Sequence, residues 1–320
     1  MNSVPYKTTP IAFLTDGAMD DSKIWLKCLR AAMPGEVIEK YDELTDAQKA
    51  QVEVAVVANP DPVQLKTLPN LKWIHSLWAG VEKMAAELSD SSFEVVRLED
   101  PEMMLKMSEA VLSWVLYLHR DMPIYARQQR EKLWKEHEQS RAFARSIGIL
   151  GLGNLGAAAG QMLNGLGFDV KGWSRTQKSI DGIEAFSGEN GLFEMLRAVE
   201  IVVCLIPLTP STRHVLNSVS LAQLPKGACV INFARGPIID IDALVSNLDS
   251  GHLSHAVLDV FEEEPLPATS ALWDHEKITI LPHISGPTNR ETASQVVALK
   301  IKKFRETGEI PRGMDKKLGY

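Results

Sequence analysis

One stretch constrains the fold more than any other: SIGILGLGNLGAAAG, residues 146–160. An apolar run of strand length meets three glycines, Gly151, Gly153 and Gly156, spaced G-x-G-x-x-G, and small residues then open a helix. The first glycine permits a tight turn, the second lets backbone approach a pyrophosphate, and the third lets helix pack close on strand. The helix start at Asn154 and Leu155 turns unbonded N–H groups toward the anion. Such a triplet is weak evidence alone. Between a strand and a helix it predicts a dinucleotide-binding unit.

The same rhythm continues on both sides. From Ser146 the strand candidates SIGIL, FDVKGWS, EIVVCLI, GACVINF, SHAVLDV and KITILP follow one another, separated by helix-length segments. Runs this continuously apolar suit a parallel sheet covered on both faces, so the fold class is α/β with a doubly wound Rossmann cofactor domain. Upstream, IAFL (11–14), a helix near Ser22 to Met33, VEVAVVA (52–58) and LKWIHS (71–76) repeat the βαβ pattern. A length of 320 residues accommodates two domains. The amphipathic stretch from about Met107 to His119 meets no Gly or Pro before Pro123, which suits a helix crossing between them. A last helix, about Arg290 to Glu306, can return to the first domain. The expected borders are 1–107 with 287–320 for one domain and 108–286 for the cofactor domain.

The far end of the dinucleotide site is unusual. An NAD-selective site places an acidic residue on the ribose hydroxyls after the second strand, whereas here that strand ends in Ser174 and Arg175. A carboxylate there would repel a 2′-phosphate, and Arg175, with donors from Thr176 and Lys178, attracts one. The expected cofactor is NADPH/NADP, in preference to NADH/NAD.

Hydride transfer to a carbonyl needs a cation near the carbonyl or its neighbouring carboxylate, and an acid for the developing alkoxide. Three later strand ends offer these groups: Arg235 in NFARG, Glu264 in DVFEEEP and His283 in LPHISG. Strand ends gather at the ligand crevice, so His283 is expected as acid and base, Glu264 as the group holding its imidazole, and Arg235 as the substrate clamp. His252 and His255 form HxxH without a carboxylate or cysteine at ligand spacing, and no metal is expected.

A net charge of -7 and no basic recognition helix argue against a nucleic-acid partner. No apolar run is long enough to span a membrane, and MNSVPYKTTP lacks the core of a secretory signal. Cys28, Cys204 and Cys229 form no CxxC pair, which fits a reducing, cytoplasmic setting.

Downstream of GLGNLG, the motifs NFARG, LDVFEEEP and LPHISG resemble the D-isomer-specific 2-hydroxyacid dehydrogenase family, from about Trp73 to the C-terminus. LWAGVEKM, RLEDPEM, GWSRTQKS, EPLPATSALWDHEKITILPHIS and the terminal MDKKLGY resemble its branch that reduces glyoxylate and hydroxypyruvate. The resemblance implies a flavodoxin-like substrate domain, a small 2-oxo acid substrate and a homodimer. It also implies that amides around Ala79, Gly80 and Val81 hold the substrate carboxylate, that Arg235 and His283 also contact the substrate, and that Asp259 lies near the nicotinamide carboxamide. Trp78 and Trp134 can shape the pocket, although packing is the commoner role of large aromatics. A bulkier 2-oxo acid such as phenylpyruvate, or a dinucleotide-sensing regulator without turnover, remains open at this point.

Overall fold

The computed structural model describes residues 9–16 and 21–315. Most of the MNSVPYKTTP opening and the end of MDKKLGY therefore lie outside the described residues. The chain divides into two compact units, Met1–Met103 with Thr288–Tyr320, and Met104–Pro287.

The first unit holds a parallel sheet of β1 (Ile11–Thr15), β2 (Ile38–Lys40), β3 (Val54–Ala58), β4 (Trp73–Ser76) and β5 (Glu94–Val96). Its strand order, β2-β1-β3-β4-β5, is the flavodoxin-like one. Alternate residues supply two cores. Ile11, Phe13, Val54, Val56 and Trp73 pack with the helices Ser22–Ala32 and Arg290–Thr307, while Ala12, Leu14, Ala55, Val57 and Ile74 pack on the other face with Leu65, Met84 and Leu88. The strand β3 reads VAVVA because both of its faces are buried.

The helix expected from Met107 instead spans Pro101–His119. Asp100 accepts a hydrogen bond from the Glu102 amide at 3.0 Å, and Pro101 takes the first helical position, where its missing N–H costs nothing.

The second unit has seven parallel strands rather than the six expected: β6 (Ser146–Leu150), β7 (Asp169–Ser174), β8 (Glu184–Ser187), β9 (Ile201–Cys204), β10 (Ala228–Asn232), β11 (Leu253–Leu258) and β12 (Ile278–Ile280). The additional strand, β8, reads EAFS and lies at the sheet edge, so it carries no apolar run to announce it. The order β12-β11-β10-β9-β6-β7-β8 reverses direction between β6 and β9. In doubly wound sheets the ligand crevice opens at that reversal, outside the carboxyl ends of the strands.

Two buried histidines belong to these cores. Burial, reinforced by the Lys300 charge, holds the His75 imidazole down to about 3, and burial with the Arg127 charge holds His255 at about 4. His255 Nε2 lies 2.9 Å from Thr279 Oγ1, so its role is structural. Unfolding returns both to the ordinary value near 6.5, and below that pH the unfolded chain binds protons that the folded chain refuses. Stability is thus fully present above pH 6.5 and falls toward pH 4 by about 1.4 kcal/mol per pH unit for each histidine. The urea midpoint is expected to be lower at pH 5 than at pH 7, with a shallower dependence in His255→Gln. Equal slopes for variant and parent would exclude the His255 contribution.

Candidate active site

The glycine turn after β6 is closed on its protein side and open on the other. Gly151 takes φ +106°, a conformation side chains rarely adopt, and its amide donates to the Trp173 carbonyl at 2.8 Å. A Cβ on Gly156 would lie 1.8 Å from the Gly151 carbonyl oxygen, so only glycine lets the helix Asn154–Gly165 approach. A Cβ on Gly153 would meet nothing within 4 Å, which suits the position where backbone approaches a pyrophosphate. Gly153 caps that helix without a side-chain bond, leaving the amides of Asn154 and Leu155 to face an anion.

Across the reversal, the loop after β9 presses on the turn: a Cβ on Gly151 would meet Ile206 Cγ2 at 2.7 Å and the Leu205 carbonyl oxygen at 2.8 Å. The loop is internally braced, with Thr212 Oγ1 donating to the Pro207 carbonyl and accepting from the Thr209 amide, both at 2.7 Å. The sequence reading omitted this loop. Its signal was positional, the PLTPST run following the first strand beyond the reversal.

At the end of β7, Ser174 Oγ donates to the Thr176 carbonyl at 2.7 Å, closing the turn and committing the hydroxyl proton. Beyond it Arg175, Thr176 and Lys178 are exposed. Among these residues stands no carboxylate to repel a 2′-phosphate.

The three catalytic candidates follow three adjacent strands. Arg235 follows β10, Glu264 lies in the loop after β11, and His283 follows β12. His283 Nδ1 lies 2.7 Å from Glu264 Oε2, while Glu264 Oε1 accepts from the Phe261 amide at 2.8 Å. The carboxylate is thereby fixed from two sides, and the imidazole keeps Nε2 for other work. His283 is 52% exposed, accessible to a small molecule.

Two residues that sequence reasoning missed, or used differently, set this geometry. Asn232, buried at the end of β10, accepts from the Ala234 amide at 3.1 Å and donates to the Arg235 carbonyl at 2.9 Å, clamping the turn that presents Arg235. An amide inside the apolar run ACVIN was the available signal. Asp259, also buried, accepts from the amides of Ile284 at 2.7 Å and Ser285 at 2.9 Å, and its carbonyl accepts from the His283 amide at 3.0 Å. These bonds hold His283 at φ +53°, a left-handed conformation that costs on the order of 1–3 kcal/mol and persists only where the surroundings enforce it. The loops of Arg235 and Glu264 also touch directly: a Cβ on Gly236 would lie 2.1 Å from the Phe261 carbonyl carbon.

Residues 112–285 match the family model of the D-isomer specific 2-hydroxyacid dehydrogenase, NAD binding domain. The chain belongs to the D-isomer specific 2-hydroxyacid dehydrogenase family. It is 36% identical over 300 residues to glyoxylate/hydroxypyruvate reductase A of Yersinia enterocolitica, covering 92% of this chain and 95% of that one. It is similar to the crystal structure of a D-isomer specific 2-hydroxyacid dehydrogenase from Xanthobacter autotrophicus Py2 in complex with NADPH and MES, at 39% identity and TM-score 0.91, over 98% of this chain and all of that one. It also resembles an NADPH-dependent glyoxylate/hydroxypyruvate reductase from Sinorhizobium meliloti in complex with NADP and sulfate, at 29% identity and TM-score 0.87, with coverage of 98% and 100%.

Ala79, Gly80 and Val81 form the turn after β4, and none of their amides has a hydrogen-bond partner among the described residues. Trp78 stands edge-on to Trp25 at 6.0 Å and packs on the core of the first unit. Trp134 departs from the packing role: its side chain is 96% exposed, in the extended segment that follows the helix Met122–Glu131. Lys132 is left-handed and ends that helix, and the residues directly after it, 133–136, are exposed.

Proposed function

We propose that this dehydrogenase reduces small 2-oxo acids with NADPH, taking glyoxylate to glycolate and hydroxypyruvate to D-glycerate. The observation that carries the reading is the His283–Glu264 pair fixed beside the Arg235 turn, at the carboxyl ends of the adjacent strands β10, β11 and β12. The glycine turn fits the pyrophosphate and the Ser174–Lys178 segment fits a 2′-phosphate. When bound, the reduced nicotinamide supplies a hydride to C2 of the acid. Arg235 binds the carboxylate and polarises the carbonyl, and the amides of Ala79, Gly80 and Val81 are assigned a further carboxylate contact. His283 Nε2 delivers the proton to the carbonyl oxygen as it becomes an alkoxide, and Glu264 stabilises the imidazolium from Nδ1. Asp259 positions the His283 loop, and the carboxamide contact that the family implies is a second task for the same carboxylate.

We also assign a homodimer. Leu133, Trp134 and Phe143, 49%, 96% and 67% exposed, cluster in one segment of the second unit, and an apolar segment of this kind marks an interaction surface. The segment LWKEHEQSRAF carries both charge signs, so a copy of it can meet another without net repulsion. No helix among the described residues is long and apolar enough to cross a membrane. Burial pushes the Cys229 thiol up to about 12, so it is unreactive, and a reducing cytosol is the assigned setting.

A panel of 2-oxo acids tested with NADPH and NADH decides the substrate. Turnover is expected with glyoxylate and hydroxypyruvate; selective use of phenylpyruvate would assign a bulkier substrate, and no turnover on any acid would favour a sensing role. Arg175→Ala is expected to raise the KM for NADPH roughly ten- to a hundredfold, the loss of a charge-assisted bond, and to leave that for NADH in place. Equal effects on both would remove Arg175 from cofactor choice.

A further inference from the structure

The segment that carries Arg175, Thr176 and Lys178 is short, exposed and polar, and such a segment is ordinarily mobile. The Gln177 side chain ties it to the neighbouring strand. Gln177 Nε2 donates to the Ala185 carbonyl at 3.0 Å, and Gln177 Oε1 accepts from Ser187 Oγ at 2.8 Å. Both partners lie on β8, the sheet edge, where Ser187 is the register partner of Ser174. The chain leaves β7 at Ser174, turns through the Ser174–Thr176 bond, and is stapled back onto the neighbouring strand three residues later.

Ser187 gives up another role to do this. It occupies the N-cap of the helix Gly188–Arg197, where a serine normally accepts a bond from a first-turn amide, yet its side chain makes no capping bond. Its hydroxyl is directed to Gln177 instead. The Trp173 indole donates to the Gly188 carbonyl at 2.7 Å, so the end of β7 is anchored to the β8–helix junction by a further bond.

We propose that Gln177 is a positioning residue for cofactor choice: the Gln177–Ser187–Ala185 staple holds the Arg175–Lys178 segment in the conformation that receives a 2′-phosphate. It rests on the NADPH reading given above. The physical basis is preorganisation. A cationic loop ordered before the ligand arrives loses less conformational entropy on binding, and the gain is confined to a ligand that uses the loop. NADH has no 2′-phosphate and gains nothing from it.

The test is steady-state kinetics of Gln177→Met, which keeps the length of the side chain but removes both bonds, and of Ser187→Ala, which removes one bond from the opposite side. Each is expected to raise the KM for NADPH about three- to tenfold, the size of one or two net hydrogen bonds, with kcat at saturating NADPH and the KM for NADH unchanged. In an Arg175→Ala background, Gln177→Met should add less than it does in the parent, because the main donor it positions is gone. A KM that rises equally for both cofactors, a fall in kcat, no change in either variant, or full additivity with Arg175→Ala would each overturn the proposal. The parent enzyme separates the two readings: if it uses NADH and NADPH equally well, the cofactor assignment itself fails, whereas an NADPH preference undiminished in both variants sinks only the role of Gln177.

Discussion

His283→Ala is expected to lower kcat for glyoxylate reduction by about a hundred- to ten-thousandfold, the range for losing a positioned general acid. The reason is the completeness of the arrangement around the ring. Nδ1 is engaged by Glu264, whose other oxygen is held by the Phe261 amide, and the backbone on either side of the ring is held by Asp259. With Nδ1 committed, the proposed mechanism takes the proton for the carbonyl oxygen from Nε2. The proposed mechanism gives the imidazole no part in holding NADPH, so the dissociation constant of NADPH, read by fluorescence titration, should stay near the parental value. A variant that reduces glyoxylate at the parental rate would remove His283 from proton transfer. Glu264→Gln should fall between the two, since an amide can still accept from Nδ1 but no longer offsets the charge of the imidazolium.

Arg235→Ala is expected to cost on the order of a hundredfold or more in kcat/KM for the 2-oxo acid, as for removal of a preorganised donor at developing charge. Its backbone is clamped by Asn232 and its turn abuts Phe261, so the guanidinium is presented from a fixed platform rather than a mobile loop. Arg235→Lys should recover only a small part, because a point charge does not reproduce the two-pronged fork that matches a carboxylate. Steady-state kinetics on glyoxylate give the answer directly. If Arg235→Ala changed only the KM for NADPH, the residue would belong to the cofactor and not to the acid.

Much of this molecule was legible in its sequence, and the reason differs from element to element. Strands such as VAVVA and IVVC announce themselves because a parallel strand covered on both faces must be apolar throughout. Edge strands escape that rule, which is why EAFS at β8 was not foreseen. The glycine turn is readable because the positive φ at Gly151 and the close helix approach at Gly156 each admit little else. The start of the helix at Pro101 was missed because an Asp-Pro pair reads equally as a turn, and only the bond from the Glu102 amide makes it a cap. Trp134 shows the limit of averages: large aromatics usually pack, but this one lies on a segment that leaves its helix and is exposed.

The sequence by itself determined the α/β class, the glycine turn, the missing carboxylate at Ser174 and the three polar strand ends, because each is dictated by local sterics, local charge or a short repeat. Tertiary structure alone decided that Asp259 secures the His283 loop, that Asn232 clamps Arg235, and that Gln177 reaches back to β8. The Asp259 bonds join positions 25 and 26 residues apart, and the Gln177 bonds positions 8 and 10 apart across a turn. A hydrogen bond depends on where two atoms lie in space, and spacing along the chain fixes that only within one regular element.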